Sequence, residues 1–328
     1  LGQVYEEALQ RIPDAIRAYR KIFDELEPSN EEAIAALGRI YEQTEDWEAL
    51  NKVYEREMET AVGDVAEAEI RAKMAHLAAN RLGRVDDAVE GWKRVLDLRG
   101  EDPEALGALA GLYQHLSQWA ELTDVLERQF DIADDDEERV NVLTNRARLF
   151  IEQLGRDDEA LETWQRVLDI DYANLPALRA VAQIWRTRED AQELVSSLHA
   201  MIDRAAALLE AAELKEVYRE LGQTYGVKLE QPYDAADAWR QLLEVDPFDF
   251  EAMAELEKIY RLDEKWPEVV DVKMQRAEAL QEPEEKIREL LEVTQIWKKE
   301  VNDYDQATAA FEKILGIEPA HTEAFEAL

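Results

Sequence analysis

A chain of 328 residues is longer than one hydrophobic core usually grows; 46% hydrophobic and 34% charged residues, with only 12 Gly and 9 Pro, fit helices packed in an elongated array. The 38 Lys and Arg against 75 Asp and Glu give a net charge of −37, which argues against nucleic acid or an anionic membrane as a partner of the general surface and favours basic proteins. There is no Cys, which excludes disulfides and thiolate chemistry, and no run of eighteen apolar residues.

The elements recur along the chain. Segments DAIRAYRKIF from Asp14, DAVEGWKRVL from Asp87, EALETWQRVL from Glu159, DAADAWRQLL from Asp234 and QATAAFEKIL from Gln306 share one pattern. Their aromatics, Tyr19, Trp92, Trp164, Trp239 and Phe311, stand 73, 72, 75 and 72 residues apart by subtraction. A second pattern interleaves with the first, beginning at Ala36, Ala108, Ala180 and Glu255 and marked by Tyr41, Tyr113, Trp185 and Tyr260. Each period of about 72 residues therefore holds two helical hairpins.

These motifs resemble the tetratricopeptide repeat, whose unit has a Leu-Gly or Leu-Ala pair, an aromatic three residues later, a small residue opening the second helix, an aromatic four on, and a closing Pro. Leu37-Gly38 with Tyr41, Leu109-Ala110 with Tyr113 and Leu221-Gly222 with Tyr225 match the first part. Ala235, Trp239 and Pro247, and Ala307, Phe311 and Pro319, match the second. Met74-Ala75, Arg146 and Val293-Thr294 depart from the Leu-Gly pair, and Ala191 stands where Trp47, Trp119 and Trp266 do. The resemblance implies an all-α, right-handed superhelical solenoid of antiparallel helical hairpins. About nine units in pairs of 72–75 residues would run continuously over 1–328, with both ends, at Leu1-Gly2 and Leu328, cut inside a unit of a longer array. The paired style is similar to very long bacterial tetratricopeptide arrays.

The residue types follow from packing. Gly or Ala in the first helix, and Ala15, Ala88, Ala160, Ala235 and Ala307 in the second, let backbones approach while the aromatics fill the adjoining volume. Ala160→Leu is expected to overpack its crossing and cost about 1–3 kcal/mol in urea denaturation. Pro28, Pro103, Pro247 and Pro319 fall where one hairpin hands over to the next. The five units of the first type carry one extra residue in the hairpin turn. Trp185 to Tyr225 spans 40 residues where the other units span 37, which predicts a longer helix near 190–215.

No glycine-rich phosphate loop, His-Glu-x-x-His or Gly-x-Ser-x-Gly occurs, so neither an enzyme nor a cofactor is expected. His76, His115, His199 and His321 are far apart in sequence. The acidic run Asp131–Glu138 lacks the glycine and spacing of a calcium loop and reads as a linker feeding acids to the next helix N-terminus. Gly107 and Gly111, in GALAG, suggest tight hairpin packing. The recurring tryptophans fit a core role rather than ligand stacking.

In the resembled family the first helix of each hairpin lines a concave groove. Carried over, its positions in the N-terminal half are Glu6, Glu7, Glu32, Glu42, Glu69 and Glu104 with one cation, Arg39. In the C-terminal half they are Arg148, Arg179, Arg186, Arg219, Lys258, Arg261, Arg288, Lys298 and Lys299 against Glu152, Glu216 and Glu251. Nine bases facing three acids predict a groove for an acidic peptide or helix. The chain is thus expected to be a soluble protein-binding scaffold with protein or peptide partners, no nucleic acid and no membrane insertion, the cytoplasm being favoured over the periplasm. The alternative is head-to-tail self-association within a larger assembly.

Overall fold

The computed structural model describes residues 1–27 and 30–327, so Pro28 and Leu328 lie outside the described residues. The chain forms two compact units. Unit 1, Leu1–Ile170, opens with the π-helical turn Val4–Ala8 and continues through α1 (Ile12–Lys21), α2 (Glu31–Gln43), α3 (Trp47–Thr60), α4 (Asp64–Leu77), α5 (Val85–Arg99), α6 (Pro103–His115), α7 (Trp119–Ile132), α8 (Asp136–Leu149) and α9 (Asp157–Ile170). Unit 2, Asp171–Leu328, holds α10 (Leu175–Thr187), α11 (Ala191–Ala205), α12 (Ala211–Gln223), α13 (Pro232–Val245), α14 (Phe250–Leu262), α15 (Trp266–Ala279), α16 (Pro283–Ile296), α17 (Tyr304–Ile317) and α18 (Thr322–Ala327). No strand occurs among the described residues. Each unit is a tandem of antiparallel hairpins in which an even-numbered helix turns back on the next odd-numbered one.

The turns share one device. Gln10, Glu45, Gly83, Ser117 and Gly155 in unit 1, and Glu189, Glu230, Glu264 and Asn302 in unit 2, take left-handed φ between 49° and 65° at the hairpin bend. Among the described residues that marks nine hairpins. The extra residue of the first-type units is absorbed as a π-helical turn ending the first helix, at Val4–Ala8, Ala78–Leu82, Phe150–Leu154, Thr224–Lys228 and Trp297–Val301. Helix starts are capped by side chains: Asn30, Asp102, Asn174 and Asp249 each accept a hydrogen bond from the backbone N–H three residues on. Pro103 opens α6, while Pro247 and Pro319 lie in the α13–α14 and α17–α18 connections.

The packing follows the small-plus-aromatic pattern. Ala15, Ala88, Ala160, Ala235 and Ala307 are buried, and Tyr19, Trp92, Trp164, Trp239 and Phe311 are at most 6% exposed, so both sets are core. Gly222 shows why a small residue is needed, since a Cβ there would press into the Trp239 ring. At Gly91 of α5 a Cβ would stand 2.9 Å from that of Ala75 on α4.

Two expectations are corrected. Gly107 and Gly111 are exposed, and an added Cβ at either would meet nothing within 4 Å, so GALAG is not a tight-packing point. The additional residues after Trp185 do not make a long helix. The second helix α11 has 15 residues where α3, α7 and α15 have 14, and a 3₁₀ turn at Ala206–Leu208 takes up the rest. Ala206, Ala207 and Leu208 are exposed, so continuing α11 through them would bury no further apolar surface. In the acidic run, Asp135 caps α8 by accepting from the Glu138 N–H at 2.8 Å, while Glu138 accepts from the Asp134 N–H at 3.2 Å.

Candidate functional site

The first helices of successive hairpins lie side by side within each unit, and ion pairs tie them together. In unit 2, Arg179 on α10 holds Glu213 on α12 at 2.6 and 2.5 Å, and two turns further along Arg186 holds Glu220 at 2.6 and 2.7 Å. Both contacts are two-pronged, the geometry in which a guanidinium binds a carboxylate most strongly. The Glu220 hydrogen bond holds the Arg186 guanidinium above its ordinary pKa against the effect of burial. Arg219 on α12 bonds Asp249 at 2.6 Å and Glu251 at 2.8 Å, and also pairs with Glu216. Between α10 and α12 the two pairs frame a cleft of about 480 Å³ whose floor includes Leu198 and Met201 of α11.

The remaining C-terminal candidates separate into three groups. Lys258 pairs with Glu255 at 2.5 Å, and Arg261 with Glu257 at 2.8 Å and Glu292 at 3.6 Å. Lys298 lies over the Phe311 ring, 5.8 Å from its centroid. Arg288 and Lys299 are exposed and have no ion-pair partner among the described residues. Arg148 is likewise exposed without a partner, but it belongs to unit 1.

The charge balance expected from sequence is therefore corrected. Glu213, Glu220, Asp249, Glu255, Glu257 and Glu292 also stand against these cations, and five of the nine bases are already neutralised. The 34-residue spacing of Arg179 to Glu213 and of Arg186 to Glu220 is shorter than the 40 residues from Trp185 to Tyr225, so the phase of the repeat alone does not pair them.

A buried charge network was not anticipated. Lys273 of α15 is 2% exposed and meets Glu292 at 2.6 Å, Glu289 at 3.0 Å and Glu257 at 3.2 Å. Arg276 adds contacts to Glu257 at 2.8 Å and Glu289 at 3.5 Å. Burial lowers the Lys273 pKa, but hydrogen bonds to Glu292 and Glu289 and the Glu257 charge outweigh it and hold the ammonium above its ordinary value. Burial likewise pushes Glu257 up, while the Arg261 hydrogen bond and the Lys273 and Arg276 charges bring it below the ordinary glutamate value. Three cations and three carboxylates thus join α14, α15 and α16; at the positions of Glu257 and Lys273 the α6–α7 and α10–α11 hairpins carry Ala110 with Leu126 and Ala182 with Leu198.

In unit 1, Arg39 pairs with Glu6 at 2.5 Å and His76 contacts Glu104 at 3.1 Å while standing edge-on to Trp92 at 4.7 Å. Glu32, Glu42 and Glu69 have no ion-pair partner among the described residues. Between α2 and α4, over α3, opens a cleft of about 690 Å³. No group of three His, Asp or Glu that could hold a metal ion occurs among the described residues, and no described helix is long and apolar enough to cross a membrane.

The family model described as tetratricopeptide repeat matches residues 33–67 and 105–140, spanning α2–α3 and α6–α7. No curated protein sequence matches the chain. Among solved structures, the chain is similar to the C-terminal part of a tetratricopeptide repeat-containing protein from Cytophaga hutchinsonii, at 16% identity and TM-score 0.36, covering 78% of this chain and 98% of that one. A tetratricopeptide repeat protein from Parabacteroides merdae is similar at 14% identity and TM-score 0.36, covering 90% and 96%. The structure of Naa15/Naa10 bound to HypK matches at 14% identity and TM-score 0.43, covering 99% of this chain and 54% of that one. The family model thus covers two of the nine hairpins among the described residues.

Proposed function

We propose that the chain, whose hairpins match the tetratricopeptide-repeat family model at residues 33–67 and 105–140, is a protein–protein interaction scaffold and that its unit 2 receives an acidic segment of a partner protein. The observation that carries this reading is the pair Arg288 and Lys299, exposed and without ion-pair partners along α16 and the turn that continues it, in a chain of net charge −37. Incoming carboxylates meet these two cations first. Lys258, 66% exposed and paired among the described residues with its helix neighbour Glu255, can exchange its partner at little cost, because exposed pairs of this kind are worth about 0.3–0.5 kcal/mol.

Arg179 and Arg186 have a different role in this reading. Their two-pronged hydrogen bonds to Glu213 and Glu220 hold α10 against α12 and keep the surface rigid, so a ligand need not order it on binding. Reversing the charge of Arg288 and Lys299 together is expected to weaken capture of a fluorescent glutamate-rich peptide about tenfold at low salt, with helicity unchanged. Unchanged affinity in an anisotropy titration would remove the proposed site.

A further inference from the structure

We propose that the cleft between α2 and α4 in unit 1 is a second docking site, one that takes a lysine- or arginine-bearing apolar peptide segment. It goes beyond the acidic-segment reading and involves other residues of the chain.

The argument starts from an internal comparison. Residues of α2–α4 have counterparts 219 positions on in α14–α16: Gly38 and Glu257, Glu42 and Arg261, Tyr54 and Lys273, Glu57 and Arg276, Lys73 and Glu292. In unit 2 the space at these positions is filled by Lys273, whose ammonium lies among Glu257, Glu289 and Glu292. In unit 1 the first-helix residue is a glycine, the second-helix residue is a half-buried tyrosine, and about 690 Å³ stays open. That volume falls within the range of pockets that enclose a ligand. The signs at the rim are also exchanged: Glu42 and Glu57 stand where unit 2 has Arg261 and Arg276.

The open cleft therefore has the features a cationic side chain needs. Ile34, Val53 and Ile70 offer apolar wall for its alkyl stem, and Val62, 90% exposed, forms an apolar lip. The Tyr54 ring and the Glu57 carboxylate already receive one cation, since the Lys73 ammonium lies 5.9 Å from the ring centroid and 3.6 Å from Glu57. At that distance the pair is longer than a hydrogen bond, and Glu42 has no ion-pair partner among the described residues. Arg39 does not compete for these acids, because Glu6 holds it at 2.5 Å. Burial raises the Tyr54 pKa and the Glu42 and Glu57 charges raise it further, which places both carboxylates within electrostatic reach of the ring.

The test uses the full chain and a fluorescent peptide alternating lysine and leucine, with glutamine–leucine and glutamate–leucine versions as comparisons. The lysine peptide is expected to bind in an anisotropy titration and the other two to bind at least tenfold more weakly. Glu42→Lys, at an exposed position, is expected to reduce affinity about tenfold, and Tyr54→Leu about fivefold by loss of the ring face. Glu137→Lys changes the net charge equally at the exposed start of α8 and is expected to alter affinity less than twofold. Equal losses from Glu42→Lys and Glu137→Lys would mean diffuse attraction to an acidic surface and would overturn the site, as would equal binding of the glutamine peptide. Failure here leaves the acidic-segment reading standing, because that reading depends on Arg288 and Lys299.

Discussion

Lys273→Met is expected to destabilise unit 2 by about 3–5 kcal/mol, the cost of removing one partner from a buried ion pair. The substitution is close in volume, so the loss comes from charge. Glu289 keeps only its 3.5 Å contact with Arg276, and Glu257 keeps Arg261 and Arg276 but loses the ammonium at 3.2 Å. The same space in other hairpins shows what would repair it. At the equivalent offsets stand Ala110 with Leu126 and Ala182 with Leu198, apolar pairs with no charge to satisfy. Lys273→Leu combined with Glu257→Ala is therefore expected to recover stability relative to Lys273→Met, measured by urea denaturation and by amide exchange in α14–α16.

The network also sets a pH response. Glu257 has a folded pKa below its ordinary 4.5, so its contribution is complete above 4.5 and is lost as pH falls through the folded value. Lys273 has a folded pKa above its ordinary 10.5, so its contribution is complete below 10.5 and is lost as pH rises through the folded value. Stability from these groups is flat between the two limits. In Lys273→Met the alkaline loss due to Lys273 disappears, and the acid limb flattens because one of the charges that depress Glu257 has gone.

Trp164→Ala is expected to cost unit 1 about 3–5 kcal/mol, as large-to-small changes of a buried aromatic do. The ring is 2% exposed on α9, behind Ala160 at 0%. Trp164→Phe is expected to cost far less. Its ring leaves a smaller void, and the indole N–H that it removes is buried with no hydrogen-bond partner among the described residues. Urea denaturation of the three proteins checks the order. A ladder built to stack ligands would show the reverse, with stability kept and peptide binding lost.

Most of the fold was legible because it is written by repetition. A small residue and an aromatic recurring at one offset can only be core, and the burial of Ala160, Trp164, Ala235 and Trp239 follows from that phase. The one-residue surplus of the first-type units was visible too, but not that it would become a π-helical turn. A turn of backbone can absorb an insertion in several ways, and the choice depends on which way keeps Phe150 and its equivalents packed. The three residues inserted after Trp185 illustrate the same limit, since only their exposure decides between a longer helix and a 3₁₀ turn.

The candidate surface was legible residue by residue and not pair by pair. Placing Arg179, Arg186 and Arg219 on first helices needed only the phase of the repeat. Recognising their partners needed the lateral packing of successive first helices, which brings residues 30–34 positions apart into contact. Lys273 left a sequence signal: it interrupts a series of Tyr54, Leu126 and Leu198, just as Glu257 interrupts Gly38, Ala110 and Ala182. Each departure alone resembles ordinary drift. Only the packing of α14 on α15 and α16 joins them into one network.

Amide hydrogen exchange of the full chain, with and without a saturating glutamate-rich peptide, tests the proposed acidic-segment surface directly. The expected result is added protection in α14, α16 and the Trp297–Val301 turn, with the amides of unit 1 unchanged. Protection confined to unit 1, or spread evenly over both units, would contradict it.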